Sequence, residues 1–310
     1  MNIAILGSGA MGMLFGALLS QHNSVTLVDV NEQRVEDVNT AGILIQEPDG
    51  TVRRFYPAAV TDSSSIGPVD LVIVFVKALY SRSALSGNKA LLGPLTRVLT
   101  LQNGSGHENI LKEFVTPENI IIGMTQHNSS IQGQASIHHG CGGLTYIGCL
   151  DGRTESLDSV AEAFSACGLE TRVSPNVQRI IWNKMFLNVS GSALTAALQV
   201  KMGFLVDDVH GWTLTETLVR EAVSVANAEG MGFDPDQVVT EVHRLMTGAH
   251  EGYTSIYADL RDGRRSEVDT ISGSVVAAGK RNGTPTPCHS FVVELIHAME
   301  DKNEMLKEEN

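Results

Sequence analysis

The chain has 310 residues, of which 43% are hydrophobic and 18% charged, the profile of a globular protein of one large or two smaller domains with a sizeable core. Its formal net charge of −13 argues against nucleic acid or an anionic membrane as a partner, since both need basic patches. No apolar run approaches the roughly 20 residues of a membrane helix, and "MNIAIL" lacks the basic region that opens a secretory signal, so a cytoplasmic protein is expected.

Apolar runs at 3–6, 24–29, 69–76, 97–103 and 119–124 read as strands, and helical patterns at 10–21 and 31–41 fall between the first of them. Strands alternating with helices imply a parallel sheet covered on both faces, and the near-continuous run at 69–76 fits a strand buried on both sides. The alternating, glycine-containing stretch 125–148 suggests an antiparallel extension of that sheet. Beyond about residue 152 helical periodicity dominates, at 155–167, 176–199, 213–229, 235–247, 252–262, 266–281 and 288–307, with "SPN" (174–176) as a joint. The four cysteines, Cys141, Cys149, Cys167 and Cys288, form no C-x-x-C pair and read as reduced thiols, most of them small core residues. His138 and His139 are adjacent on an expected strand and so face opposite ways, with no carboxylate motif beside them, so no metal site is expected.

The hexamer "GSGAMG" is G-x-G-x-x-G between an expected strand and an expected helix, which marks a dinucleotide-binding turn. Gly7 permits the tight turn, Gly9 lets the backbone approach a pyrophosphate, and Gly12 lets helix and strand pack closely. Ser8, Ala10 and Met11 complete this cofactor-binding loop, and the helix start supplies free N–H groups and a positive dipole for phosphate. Asp29 ends the second strand about 20 residues on, where a carboxylate accepts hydrogen bonds from the adenosine ribose hydroxyls and repels a 2′-phosphate. Arg34, in the following turn, could instead pair with such a phosphate, so NAD and NADP both stay open, with NAD favoured. The expected architecture is an α/β, Rossmann-type dinucleotide-binding domain over 1–174 with an antiparallel extension, followed by an all-α substrate and catalytic domain over 175–310.

Lys77 closes the third strand and Asn103 the fourth, at the edge where ligands bind in doubly wound sheets. Asn103 also opens "NG", a frequent turn dipeptide, and the two readings stand level. In "WNKMFLNVSGS" (182–192), Lys184, Asn188 and Ser192 lie four residues apart and Thr195 follows, a polar stripe on a largely apolar helix. A lysine snorkelling to water from a helix end is the plain alternative, but a solvent-facing stripe would carry several charges rather than amides and hydroxyls. Hydride delivery to a ketone builds negative charge on oxygen, and a partly buried lysine can both stabilise that charge and supply the proton. Farther on, Ser255 and Asp259 share a helix face, "DGRR" breaks the helix, and "SEVD" reads as a capping sequence with Ser266 as N-cap and Glu267 in the first turn. In isolation Glu267 is simply a helix-start acid.

"GSGAMG", "VKALY", "LQNG", "WNKMFLNVSGSALTA", "TSIYADLRDGRRSEVDTISG" and "GTPTP" occur in the order seen in ketopantoate reductases, which the chain resembles over essentially its whole length. Those enzymes reduce 2-dehydropantoate to (R)-pantoate with NADPH, a step in pantothenate and coenzyme A synthesis. The resemblance implies that Lys184 polarises the keto oxygen and supplies the proton, and that Glu267 assists substrate binding and catalysis. It further implies that Ser255 contacts the substrate carboxylate, that Asn188 hydrogen-bonds the substrate, and that Asn103 and Lys77 lie near the nicotinamide and its ribose. Ser192 stands where the family usually has a second asparagine, so it bounds a changed substrate pocket. Asp29 is the second departure, since NADPH-using members tend to lack that acid.

Three readings follow. The first is an NAD(P)-dependent reductase of a small 2-oxo acid, led by 2-dehydropantoate. The second is an NAD-dependent D-2-hydroxyacid dehydrogenase of the D-mandelate type, toward which both departures lean. The third, a non-catalytic dinucleotide sensor, is disfavoured because it would need neither Lys184 nor Glu267. No heptad or interface pattern specifies an oligomer, and a homodimer is allowed because many relatives are dimers. The helix at 213–229 and the acidic tail "EDKNEMLKEEN" carry no functional signal.

Overall fold

The structure, a computed structural model, describes residues 1–155 and 157–308. In chain order its first elements are β1 (Asn2–Leu6), α1 (Ala10–Leu19), β2 (Ser24–Val28), α2 (Glu32–Ala41), β3 (Ile43–Gln46), β4 (Val52–Phe55), β5 (Ala58–Val60), β6 (Leu71–Val74), α3 (Ser81–Gly87), β7 (Arg97–Thr100), α4 (Glu108–Leu111) and β8 (Ile120–Thr125). Then come β9 (Asn128–Gly133), β10 (Ser136–Cys141), β11 (Thr145–Cys149), α5 (Asp158–Ser165), β12 (Thr171–Val173) and α6 (Val177–Leu198). The remainder is helical: α7 (Met202–Asp207), α8 (Val209–Ala228), α9 (Pro235–Gly248), α10 (Ser255–Arg261), α11 (Ser272–Asn282) and α12 (Pro287–Glu308). Packing divides the chain into two units, residues 1–102 with 107–180, and residues 103–106 with those from 181 onward. The division falls inside α6, beyond the "SPN" joint, and the loop 103–106 leaves the sheet unit for the helical one.

The first unit is built on an eight-stranded sheet in the order β12-β11-β8-β7-β6-β1-β2-β5. From β8 to β5 all pairs are parallel, and the order reverses around β1, the doubly wound arrangement that places a ligand crevice at the carboxyl ends of β1 and β6. All four residues of β6, Leu-Val-Ile-Val, are buried, as two covered faces require. β11 pairs antiparallel with β8, and β12 parallel with β11.

Only β11 and β12 extend that sheet. β9 and β10, the other strands within 125–148, form a hairpin in a second sheet of order β4-β3-β10-β9. Helix α1 packs against β1 and β2 on one side and against β3, β4, β9 and β10 on the other. This explains why α1 carries no charge and buries every residue from Gly12 to Leu19. Phe15 is fully buried with its ring 5.0 Å from Phe75 and 6.0 Å from Phe164, and each such side chain contributes about 2 kcal/mol of burial. No apolar run marks β4, Val-Arg-Arg-Phe, which is exposed at all but its last residue, and β5 is only three residues long; these and β3 lay outside the expected strands.

Within the second sheet His139 is buried and His138 half-buried, as opposite faces of a strand demand. His139 Nδ1 lies 2.7 Å from Glu47 and its Nε2 3.1 Å from His127 Nδ1. Among the described residues no group of three His, Cys, Asp or Glu side chains is arranged to hold a metal, and no helix is long and apolar enough to cross a membrane. All four cysteines are free; Cys149 and Cys167 are buried, Cys288 is half-buried and Cys141 is exposed.

In the second unit Trp182, Phe186 and Val189 of α6 pack with Leu218, Val223, Phe233, Met246 and Ile296 in one core. The helix expected from Ser266 begins instead at Ser272. Residues 268–271 form turns, with the amides of Thr270 and Ile271 both donating to Glu267 O. Ser266 does not cap a helix. Its backbone N–H and hydroxyl both donate to Glu300 on α12, at 2.8 and 2.7 Å, and that long-range pairing outweighs the local capping pattern.

Candidate functional site

The glycine loop of the first unit joins β1 to α1. Gly7 adopts φ +96°, and a Cβ there would lie 2.8 Å from Val76 N, just past β6. Its own N–H donates to Val28 O at 2.8 Å. A Cβ on Gly12 would lie 1.9 Å from Gly7 O, so helix and loop are in direct contact, whereas a Cβ on Gly9 would meet nothing within 4 Å. Gly9 is also the N-cap of α1 and provides no side-chain cap. The first-turn N–H groups therefore lack a side-chain acceptor and carry the positive end of the helix dipole. Ala10 and Met11, both half-buried, form that first turn. Open backbone at Gly9 beside an uncapped helix start is the geometry a pyrophosphate fits.

Asp29 sits just past β2. One carboxylate oxygen accepts both the N–H and the hydroxyl of the buried Ser8, at 2.6 and 2.7 Å, and the other accepts the Asn31 amide at 2.9 Å. Asp29 thus braces the glycine loop. It lines, with Gly7, Val30, Thr61, Val76 and Tyr80, a cavity of about 400 Å³ beside the ends of β1, β2 and β6. Thr61 had no signal in the sequence, and Tyr80 only its place in "VKALY", because the loop and the 3₁₀ turn that carry them are placed only when β5 and β6 flank β2 and β1. Arg34 is 3.8 Å from Asp29, and its Nε donates to Gln134 O at 3.2 Å. Exchanging Asp29 for asparagine keeps an acceptor for Ser8 but removes the charge that repels a 2′-phosphate. We expect the NADPH-to-NADH ratio of kcat/KM to rise about tenfold; an unchanged ratio in steady-state kinetics would mean that another residue reads the ribose. Lys77, half-buried, follows β6 and precedes a short 3₁₀ turn, Ala78–Tyr80, at the same strand-end edge as Gly7.

In the second unit α6 presents Lys184, Asn188 and Ser192 along one face. Lys184 and Asn188 are half-buried and Ser192 is buried. Burial pulls the Lys184 ammonium from 10.5 down to about 8. Its Nζ donates to Asn103 Oδ1 at 3.4 Å. The loop carrying Asn103 is held here by Gly104, which adopts φ +97°; a Cβ there would fall 1.8 Å from Thr270 O. The next amide, Ser105, donates to that same oxygen at 3.3 Å. One loop therefore touches both Lys184 and the turn that begins at the half-buried Glu267.

Two members of the sequence pattern have other tasks. The Thr195 hydroxyl, fully buried, is bonded to Gly191 O and, at 2.8 Å, to Thr254 Oγ1, so it ties α6 to α10. Asp259 is buried and accepts Arg264 Nε at 3.0 Å. Ser255, the first residue of α10, is exposed beside the N-cap Thr254.

Comparison with known proteins covers both units. Residues 3–152 match the family model described as Ketopantoate reductase PanE/ApbA, and residues 176–300 match that of its C-terminal domain. The chain belongs to the ketopantoate reductase family. It is 33% identical to the 2-dehydropantoate 2-reductase of Halobacterium salinarum over 96% of this chain and 98% of that one. It is 31% identical to the 2-dehydropantoate 2-reductase of Lactococcus lactis subsp. lactis, over 99% of each. A solved D-mandelate dehydrogenase, in ternary complex with NADH and anilino(oxo)acetate, is 30% identical with a TM-score of 0.89, covering 98% of this chain and 100% of that one. As a member of this family the protein is an oxidoreductase of CH–OH groups that uses a nicotinamide dinucleotide. Its α/β first unit and helical second unit are the family's fold.

Proposed function

We propose that the chain reduces 2-dehydropantoate to (R)-pantoate, with Lys184 as the proton donor. The observation that carries this reading is the Lys184 ammonium, lowered to about 8 by burial and hydrogen-bonded to Asn103. The glycine loop, with open backbone at Gly9 and an uncapped α1, suits the pyrophosphate, and Asp29 favours NAD. The bound dinucleotide supplies a hydride to the carbonyl carbon. Lys184 donates a hydrogen bond to the keto oxygen, stabilises the negative charge that develops there, and passes its proton to it. Asn103 orients Lys184. Asn188 and Ser255 hold the substrate's polar groups and carboxylate, Ser192 bounds the pocket, and Glu267 assists binding and catalysis. Lys77 lies by the cofactor ribose.

A second reading, an NAD-dependent D-2-hydroxyacid dehydrogenase, is favoured by Ser192, by Asp29 and by the likeness to D-mandelate dehydrogenase. Four acids separate the two: 2-dehydropantoate, 2-oxoisovalerate, 2-oxoisocaproate and phenylglyoxylate, each with NADH and NADPH. The highest kcat/KM is expected for 2-dehydropantoate, and a higher value for any other acid would overturn the assignment. We further place the enzyme in the cytoplasm, where free cysteines persist, as a homodimer that sedimentation would detect.

A further inference from the structure

The acidic stretch near the chain's end, which carries no motif, acquires a task in the fold. On α12, His297, Glu300, Asp301 and Glu304 follow helical spacing, and all four hold the segment that bears Glu267. Arg265 donates to Glu304 at 2.8 and 2.9 Å and to Asp301 at 2.7 Å. Ser266 donates twice to Glu300. His297 bridges Glu300 and Asp269, 3.0 Å from each. Glu267 is thus flanked on both sides by residues tethered to one helix face.

Glu300 is the hub of this arrangement. Its side chain is 2% exposed and is approached by Ser266, His297 and Arg265. Burial alone would raise its carboxyl, yet the Ser266 and His297 hydrogen bonds hold it below the usual value. A buried carboxylate is retained only with such partners; two of them here, Arg265 and Ser266, immediately precede Glu267, and the third, His297, also holds Asp269 on its other side. We propose that Glu300 is a positioning residue for the reduction, fixing the peptide that precedes Glu267 and with it the aim of the Glu267 carboxylate. The proposal rests on the reading of Glu267 as a group of the active site.

A double-mutant cycle on the full chain, with 2-dehydropantoate and the better nicotinamide cofactor, tests it. Glu300→Gln keeps an acceptor for Ser266 and removes the charge. We expect kcat to fall about tenfold with the KM for the cofactor unchanged, the signature of a misplaced group rather than a lost fold. In a Glu267→Ala background the same substitution is expected to change kcat by less than about twofold, because two residues acting through one carboxylate are not additive. An equal loss in both backgrounds, or full kcat in a folded Glu300→Gln enzyme, overturns the proposal. Should Glu300→Gln not fold, His297→Gln enters the same cycle with the same two outcomes. Wild-type kcat in Glu267→Ala alone would remove the assignment of Glu267 and this proposal together; additive losses would remove only the proposal.

Discussion

Replacing Lys184 with alanine is expected to lower kcat for reduction by about a thousandfold, the scale of a lost general acid that also stabilises charge. Wild-type turnover in that variant would end the assignment. The pH profile makes the test more specific. With the ammonium at about 8 and the protonated form as donor, reduction declines as pH rises through about 8, while the reverse oxidation gains. The alanine variant should lack this limb altogether. The same shift predicts a stability change of opposite sense. The folded chain binds the Lys184 proton less tightly than the unfolded chain does, so this group disfavours folding at neutral pH, and stability from it rises as pH climbs between about 8 and 10.5. The full shift corresponds to about 3 kcal/mol. Lys184→Met is therefore expected to raise Tm at pH 7 while abolishing turnover, a trade of stability for chemistry. A lower Tm in that variant would mean that the cation is compensated in the fold.

The second large effect is at Gly104. Alanine there must adopt φ +97° and place its Cβ 1.8 Å from the Thr270 carbonyl, so the loop has to move. Left-handed strain and the backbone overlap together cost at least about 3 kcal/mol. Because the loop also delivers Asn103 to Lys184, kcat/KM is expected to fall by about a hundredfold beyond any loss of folded protein, as misplacement by an ångström would cause. The measurement is kcat/KM normalised to active-site concentration, with Tm in parallel. Unchanged kinetics with only a lower Tm would show that Asn103 does not orient the lysine.

Much of this protein was legible in one dimension because its signals are local. The glycine hexamer, the acid at Asp29, the strand–helix alternation and the polar stripe on α6 each lie within one element or one turn, where periodicity and backbone sterics act directly. Family resemblance implied a role for Glu267 that its reading as a helix-start acid did not suggest. What only the tertiary structure decided concerns partners distant in the chain. The second sheet arises because α1, apolar all round, needs cover on its far side, and short strands from 43–55 and 128–141 provide it. Thr195 has the spacing of a ligand but spends its hydroxyl on Thr254. Ser266 has the spacing of a helix cap but is claimed by Glu300. Asn103, which the sequence left between a turn residue and a site residue, joins Lys184 because Gly104 lets its loop pack on Thr270. In each case a hydrogen bond or close contact across many residues competes with a local preference worth only about 1 kcal/mol, and burial of the partners settles the competition.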